Sequence, residues 1–586
     1  MQNGRACLSM ILLTVGGLFA ASAHGQAYDR IAPKTLPGNE PAAVPGPPTI
    51  SMVPTSDHVV LEVLKGLVFV PDAGALKKSG VPADAAGPTG IAAPGLPLLA
   101  DPAFTAKVTA YLGHRLTLAD LDGITKAVSD WYREHDQPFM SVTAPPQNIS
   151  TGVVQIVVSQ YRVGTVTADG NQYFSSDLLI GESGLAHGDP LTLSGIQQDL
   201  DWLNGNPFRT VKSTFQPGAE PGDTDVVLQV QDRLPLRLYA SIDNAGVASL
   251  GRAEWSVGAN WGNAFGLDQQ VSYQFSRAFS GLFDAHSVSW TVPLPWRDKL
   301  IVFGSYEEEK PNAGPAFDET GTSGQASLRY AHTLPQFAFA NDIGFTEDIQ
   351  VGFDFKTTNN NLEFGGTRVF ASGVEVDQFP IVYEGTETDH HGQTTIENQL
   401  VISPGGLTNG NNSAAFRTAI AGSSADYVYD RIGLTRVTFL PADFSWVFRV
   451  IGQVADGNLQ FSEQLGAGGA SSVRGYYTDA AIGTQGVLVS NEIRGPAMSL
   501  SKLVGQHLPV DDQAQFGAFW DYGHVAQKDA VPDQVNSATL SSLGVDAHLT
   551  LNRYADLRVD VGWQLRAAPG SDGRSVFTDF AVTVGF

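Results

Sequence analysis

From about residue 236 to its C-terminus the chain is written in a period of two. Across 269–276, Val271, Tyr273 and Phe275 share one face, while Gln270, Ser272, Gln274 and Ser276 share the other. Across 556–566, Leu557, Val559, Val561, Trp563 and Leu565 oppose Arg558, Asp560, Gly562, Gln564 and Arg566. Successive side chains of a strand point to opposite faces, so this alternation predicts strands. A soluble sandwich buries its apolar face against a second sheet; a membrane barrel turns it to lipid and keeps a polar lumen. The second face here carries charges and amides strand after strand, with little bulky apolar filling, which favours the barrel. After the first 25 residues no apolar run could make a membrane helix, although 42% of the chain is hydrophobic. A chain of this kind can therefore span a membrane only as a closed barrel.

Sixteen strands can be counted, near 237–243, 252–261, 267–277, 284–294, 299–308, 323–333, 340–356, 374–386, 391–402, 426–439, 445–456, 486–494, 513–525, 540–551, 554–565 and 577–586. Connections after even-numbered strands are mostly short, as at 293–297, 441–444 and 552–553. Those after odd-numbered strands are mostly long, as at 309–322, 357–373, 403–425 and 457–485. Short periplasmic turns and long outer loops are the rule for outer-membrane barrels. Residues 236–586 are accordingly expected to form a 16-stranded antiparallel β-barrel with both ends on the periplasmic side.

Ahead of the barrel, residues 1–25 read as a secretory signal peptide. Arg5 supplies the positive start and Leu8 to Ala21 the apolar core; Ala21-Ser22-Ala23 and Ala23-His24-Gly25 are both usable cleavage sites. Residues 26–56 read as a linker, because Pro33, Pro37, Pro41, Pro45, Pro47 and Pro48 oppose regular structure. Residues 57–162 and 163–235 carry an internal repeat. Gly113 to Leu121 resembles Gly188 to Ile196, Pro138-Phe139 resembles Pro207-Phe208, and the valine-rich 153–158 resembles 226–230, in one order. Each copy reads strand, helix, helix, strand, strand. In the first, 59–70 is a strand and 72–97 a Pro/Gly/Ala-rich loop insertion. Thr117 and Asp120 mark a helix start, Leu121, Ile124, Val128 and Trp131 recur at helical spacing, and 139–143 and 153–159 are strands. In the second, 162–168, 208–215 and 225–230 are strands, and Ile196, Leu200 and Leu203 mark the second helix. This order, with the turn at Asn206-Pro207-Phe208, resembles POTRA domains, periplasmic modules that bind extended chains by adding a strand to a sheet edge.

Asp and Glu (60) outnumber Lys and Arg (35), for a net charge of −25, which argues against nucleic acid as a partner. The one cysteine, Cys7, lies before the apolar core of the signal peptide, the wrong side for lipid attachment. The mature chain is then without disulfides, thiol catalysis or cysteine-based metal sites.

One loop stands apart. The stretch 457–485 follows the eleventh strand, which makes it the sixth outer loop. It holds a Gly/Ala/Ser run at 466–471 and then Val473-Arg474-Gly475-Tyr476. A phosphate cradle does not fit, since no helix opens after the glycines and no Lys-Ser/Thr pair follows. On the tetrapeptide alone a solvated arginine is an even alternative. The thirteenth strand shifts the balance. Ala514, Phe516, Ala518, Trp520 and Tyr522 fall on its lipid face; Gln515, Gly517, Phe519, Asp521 and Gly523 fall on its lumen face. A loop folded into the lumen could place Arg474 on Asp521. A confined charge needs a partner, and Arg can bind carboxylate with two hydrogen bonds. Gly475 would allow a turn, and Tyr476 could pack against the inner wall.

These residues resemble those of the outer-membrane transporters of two-partner secretion, the TpsB class, which includes the haemolysin secretion/activation and filamentous haemagglutinin transporters. That class carries the tetrapeptide in its sixth loop and a Phe/Gly-X-Asp motif on an inward-facing strand, matched by Phe519-Trp520-Asp521. The resemblance runs from about residue 57 to the end and includes the terminal Phe586, similar to the signal that barrel-assembly machinery reads. It implies a multi-pass barrel in the bacterial outer membrane with its POTRA-like pair in the periplasm. It implies binding of the N-terminal secretion domain of a large exoprotein, a TpsA-type adhesin, haemolysin or contact toxin, and its export unfolded. No cofactor, metal or catalysis is implied. Some members carry an N-terminal helix that plugs the barrel; the prolines of 26–56 speak against one here. An assembly factor that inserts other barrels shares the superfamily and the loop motif, but usually carries more POTRA units. A passive porin has no use for the periplasmic repeat, and no Ser/His/Asp constellation marks an outer-membrane enzyme. Asp389-His390-His391 reads as a solvated turn before a metal site, and 307–309 as a solvated strand end.

Overall fold

The structure is a computed structural model that describes residues 26–36, 56–220, 222–311, 317–334, 344–364, 367–503, 505, 510–530, 535–568 and 575–586. The expected signal peptide at 1–25 and linker residues 37–55 lie outside the described residues. The chain divides into two units, one of residues 1–37 with 234–586 and one of 38–233.

The first unit is a closed barrel of sixteen antiparallel strands, from Leu236–Asp243 to Val576–Gly585. Every strand pairs with its sequence neighbour, and the last returns to the first through Tyr239↔Gly585 to Asp243↔Ala581. Closure gives the backbone groups of every strand a partner, which lipid cannot supply. The alternation predicted from sequence holds on the wall: Tyr273 is 44% exposed on the outer face, whereas its neighbour Gln274 is 3% exposed within.

Three expectations for this unit are corrected. The outer connections placed at 309–322 and 357–373 are largely strand. The sixth, seventh and eighth strands run Phe317–Thr333, Gly344–Phe364 and Thr367–Asp389, paired as far as Phe317↔Phe364 and Phe364↔Thr367. Sequence such as Thr357-Thr358-Asn359-Asn360-Asn361 hides them, because an all-polar run has no polar-apolar alternation to read. Second, the segment 26–56 is not wholly irregular. Gln26–Ile31 is a helix that ends two residues before Pro33, where the first proline can no longer oppose it. Tyr28 and Ile31 are buried, and the Ile31 carbonyl accepts from Gln274 and Ser287 on the inner wall. A helix therefore does occupy the lumen. Third, Glu307 is not solvated. It is 4% exposed and lies 3.8 Å from Arg30 of that helix.

The second unit holds two α+β modules. In the first, the strand expected over 59–70 is broken in two. Val59–Leu61 pairs with Leu116–Thr117, whereas Gly66–Val70 lies parallel to Val153–Gln160 in a different sheet. The stretch 72–97 is not simply a loop, because Ile91–Ala92 adds a strand to that sheet and Val81 and Ala86 pack on it. Met140–Thr143 completes the sheet. Thr117 caps helix Leu118–Glu134 in a reciprocal box with Asp120, and the helix buries Ile124, Val128, Trp131 and Tyr132 against Leu67, Phe69 and Ile156. The second module repeats the plan. Arg162–Asp169 lies parallel to Asp223–Asp232, Arg209–Pro217 lies antiparallel to it, and Ser176–Glu182 and Leu193–Asn204 are its helices.

Phe586 extends the closing seam: its backbone N donates to the Leu238 carbonyl and its carbonyl accepts from Leu238 N. Its side chain, 82% exposed, continues the outward face of Phe580 and Val584. Deleting it removes aromatic burial in lipid worth about 1.5–3 kcal/mol. The expected outcome is a larger kinetic defect in assembly: low outer-membrane abundance with periplasmic degradation, while inserted molecules keep activity. Heat-modifiable gel mobility measures it, and normal abundance of the deletion variant would remove this role from Phe586.

Candidate functional site

The eleventh strand, Ser445–Ala455, and the twelfth, Gln485–Arg494, are joined by a loop that folds into the barrel. It forms its own small hairpin, Leu465–Ala467 with Ala481–Gly483. Leu465, Ala467, Val473, Tyr476 and Ala481 from the loop pack with Leu488, Val525 and Leu540 from the wall into one apolar cluster. An apolar cluster inside a polar lumen gives the loop a reason to stay there. At Gly475 the backbone takes φ +88, and a Cβ built on Gly562 of the fifteenth strand, Ala555–Gln564, would stand 2.5 Å from the Gly475 Cα. Loop and wall thus meet backbone to backbone, and Gln564 Nε2 donates to the Gly475 carbonyl at 2.8 Å.

This close approach delivers Arg474 to the wall. Its Nε donates to Asp521 Oδ2 at 2.8 Å and its Nη2 to Asp521 Oδ1 at 3.0 Å, a two-pronged pair on the thirteenth strand, Asp512–Ala526. The Arg474 backbone N also donates to Asp521 Oδ2, at 3.0 Å. Nη1 donates to Glu492 Oε2 at 2.6 Å, and Nη2 to Ser490 Oγ at 3.2 Å. Asp560 and Asp546 stand 3.6 and 4.0 Å from Nη1. The guanidinium carbon lies 3.5 Å from the centre of the Phe519 ring, a cation–π contact. Burial alone would lower the pKa of Arg474; the Asp521 hydrogen bonds and the surrounding carboxylates outweigh it, and the net shift is upward. Asp521 is fully buried and Arg474 is 4% exposed.

The other motif residues fall around this pair. Val473 and Tyr476 are fully buried; Tyr476 donates its hydroxyl toward the Ser541 and Arg566 carbonyls at 2.7 and 2.6 Å and accepts from Ser541 N. Phe519 points inward over Gly544, where a Cβ would come within 2.0 Å of its ring. Sequence reasoning put Asp560 and Gly562 on a polar strand face without bringing them to Arg474, and did not find Ser490, Glu492, Asp546 or Gly544. A signal existed: Asp546, Asp560 and Asp579 are opposite one another in register and share the inward phase. Only the register turns three separate acidic residues into one row. No group of His, Cys, Asp or Glu among the described residues is arranged to hold a metal ion, and these carboxylates are answered by arginines: Arg494 pairs with Glu492, and Arg558 with Asp560 at 2.8 Å. Asp389 pairs with Arg436 at 2.9 Å.

Arg474→Ala would leave Asp521, Glu492, Asp560 and Asp546 facing one another, and breaking a buried pair costs roughly 3–5 kcal/mol. The expected result is a folded barrel whose sixth loop becomes sensitive to protease and which secretes poorly. Full secretion at normal abundance would overturn this. Gly562→Val should act likewise without touching a charge, because its side chain overlaps the Gly475 backbone; protection of the loop equal to the wild type would show that the close approach is dispensable.

Comparison with known proteins accords with this geometry. Residues 88–160 match the family described as "POTRA domain, ShlB-type". Residues 222–363 and 407–547 match "Haemolysin secretion/activation protein ShlB/FhaC/HecB". The outer membrane transporter CdiB of Dickeya dadantii is 24% identical over 491 residues, 82% of this chain and 83% of that one. The heme/hemopexin transporter protein HuxB of Haemophilus influenzae is 21% identical over 431 residues, 70% of this chain and 71% of that one. The solved structure of CdiB from Escherichia coli superposes with a TM-score of 0.70 at 19% identity, covering 100% of this chain and 99% of that one. The chain belongs to the ShlB/FhaC/HecB family of haemolysin secretion/activation proteins, the TpsB outer-membrane transporters of two-partner secretion, with its barrel in the outer membrane and its POTRA region in the periplasm.

Proposed function

We propose that this transporter binds the N-terminal secretion domain of one large exoprotein through the two modules at 57–162 and 163–235 and passes it outward unfolded through the barrel. The observation that carries the reading is a loop held inside a closed barrel by Arg474 on Asp521, in a chain that also carries two repeated α+β modules. In this reading the sixth-loop residues Val473, Arg474, Gly475 and Tyr476, with Phe519 and Asp521, set the loop's position during transport. The modules suit an extended client. Arg209–Pro217 is an edge strand, paired on one side with Asp223–Asp232 and, among the described residues, with no strand on the other. Such an edge offers a row of backbone donors and acceptors for an added strand.

No residue is assigned a catalytic role, and folding of the product outside supplies the driving force. The cargo is a TpsA-type adhesin, haemolysin or contact toxin. Barrel-assembly machinery is the partner during biogenesis, through Phe586.

Deleting 163–235 from the full chain should abolish binding of the exoprotein's secretion domain, measured by titration calorimetry on the purified transporter. The barrel should remain folded by heat-modifiable mobility. Binding equal to that of the intact chain would take the modules out of cargo recognition.

A further inference from the structure

The two modules at 57–162 and 163–235 are joined by almost no chain. Val153–Gln160 of the first and Arg162–Asp169 of the second are separated by Tyr161 alone. So short a connection sets the distance between the modules and leaves their rotation to other contacts. One of these is made by Asp136. It lies just past the end of helix Leu118–Glu134, at φ +63, and its own N donates to the Arg133 carbonyl at 3.3 Å. The residue that ends a helix in the left-handed region is most often Gly, with Asn and Asp tolerated. Here the carboxylate is put to use. Its Oδ1 accepts from Ser194 N at 2.8 Å, and its Oδ2 accepts from the Ser194 hydroxyl. The Asp136 backbone carbonyl accepts from Leu193 N at 3.2 Å.

Leu193 and Ser194 open helix Leu193–Asn204 of the second module, and the first N–H groups of a helix have no partner within it. Thr192 Oγ1 accepts from one of them, Gly195 N, at 3.1 Å. The two ahead of it are taken by the first module, and a carboxylate at that end also meets the positive end of the helix dipole. The first module uses the same socket. There Thr117 caps Asp120 N, while Leu118 N and Ala119 N donate to the His58 and Ser56 carbonyls at 3.0 and 3.2 Å. Each module thus receives the chain ahead of it at the start of its second helix. A further contact crosses the joint: the rings of Phe139 and Phe215 are 4.9 Å apart. Phe139 immediately precedes the strand Met140–Thr143, and Phe215 belongs to Arg209–Pro217. Among the described residues, each of these strands is paired on one side only.

We propose that Asp136 is a positioning residue that locks the two modules into one body, so that the free edges of Met140–Thr143 and Arg209–Pro217 keep a fixed relation and an extended client meets them as one site. Tyr161 fixes the separation. Asp136 on the second helix and Phe139 on Phe215 are two further points of contact, and together they stop a rotation that either alone would permit. A client paired with one edge then meets the other at an effective concentration set by the joint, and that concentration falls when the joint turns freely. The lock itself owes nothing to cargo; its consequence rests on the reading that the modules bind an exoprotein.

The test uses the full transporter with Cys7→Ser and spin labels on Lys126→Cys and Asp177→Cys, exposed helix positions in the first and second module. Double electron–electron resonance reads the distance between them without cargo, and the intact joint should give one narrow distribution. Asp136→Gly keeps the left-handed turn and removes the carboxylate, so it should broaden the distribution. Asp136→Asn keeps an acceptor oxygen and should leave it narrow. Phe215→Ala removes the other contact and should broaden it as well. Wild-type width in Asp136→Gly, or in Phe215→Ala where the glycine variant does not fold, would overturn the lock. Titration calorimetry with the exoprotein's secretion domain reads the consequence. Asp136→Gly should bind about tenfold more weakly, a fraction of what joining two sites can contribute, and Asp136→Asn should bind as the wild type does. A loosened joint with unchanged binding would overturn the positioning role. Absence of binding by the wild type would be a failure of the secretion reading, and the distance distribution would still decide the lock.

Discussion

A guanidinium enclosed with four carboxylates is the constraint around which the barrel interior is organised. Arg474 cannot sit where it does unless its loop enters the lumen, and the loop cannot enter without the close backbone contact of Gly475 with Gly562. Phe519 can lie under the guanidinium only because Gly544 leaves its ring room. The carboxylates come from the twelfth to fifteenth strands, so the register of three strand pairs must be right for one arginine to be satisfied. Such a pair contributes little net stability over an apolar substitute, yet loss of either half is costly. That asymmetry makes the pair a device for fixing the loop in one position.

The rest of the lumen follows the same logic. A barrel of sixteen strands is too wide for its own wall side chains to fill, so the interior is occupied by the sixth loop and the N-terminal helix. Each is held by ionic and polar contacts, with only small apolar clusters beneath. Arg30 answers Glu254 and Glu307, Lys356 answers Glu463, and Arg474 answers Asp521 and Glu492. These contacts are directional, and water can replace them once it is admitted, whereas a continuous apolar core would have to be pulled apart at much greater cost.

Much of this was legible in the chain because two different solvents write on the two faces of a barrel strand. The thirteenth strand places Phe516 and Trp520 outward and Phe519 and Asp521 inward by phase alone. Legibility failed where that contrast ends. The outer parts of Gly344–Phe364 and Thr367–Asp389 carry no alternation, although their backbones pair on to Phe364↔Thr367 with one register shift between Leu362 and Glu363. The six residues Gln26–Ile31 were hidden by the prolines that follow them, and Glu307 by the absence of any local sign that Arg30, 277 residues earlier in sequence, would reach it.

Composition and period were sufficient for the architecture, because the side-chain alternation of a strand and the absence of an apolar helix leave only a closed barrel. They were also sufficient for the inward phase of Asp521 and for the repeat ahead of the barrel. Which acidic residues gather around Arg474 was decided by strand register, since Glu492, Asp546 and Asp560 are far apart in the chain and meet only when their strands are aligned. Electrostatic neighbours within a lumen are set by distance through space, and a period of two carries no information about that distance.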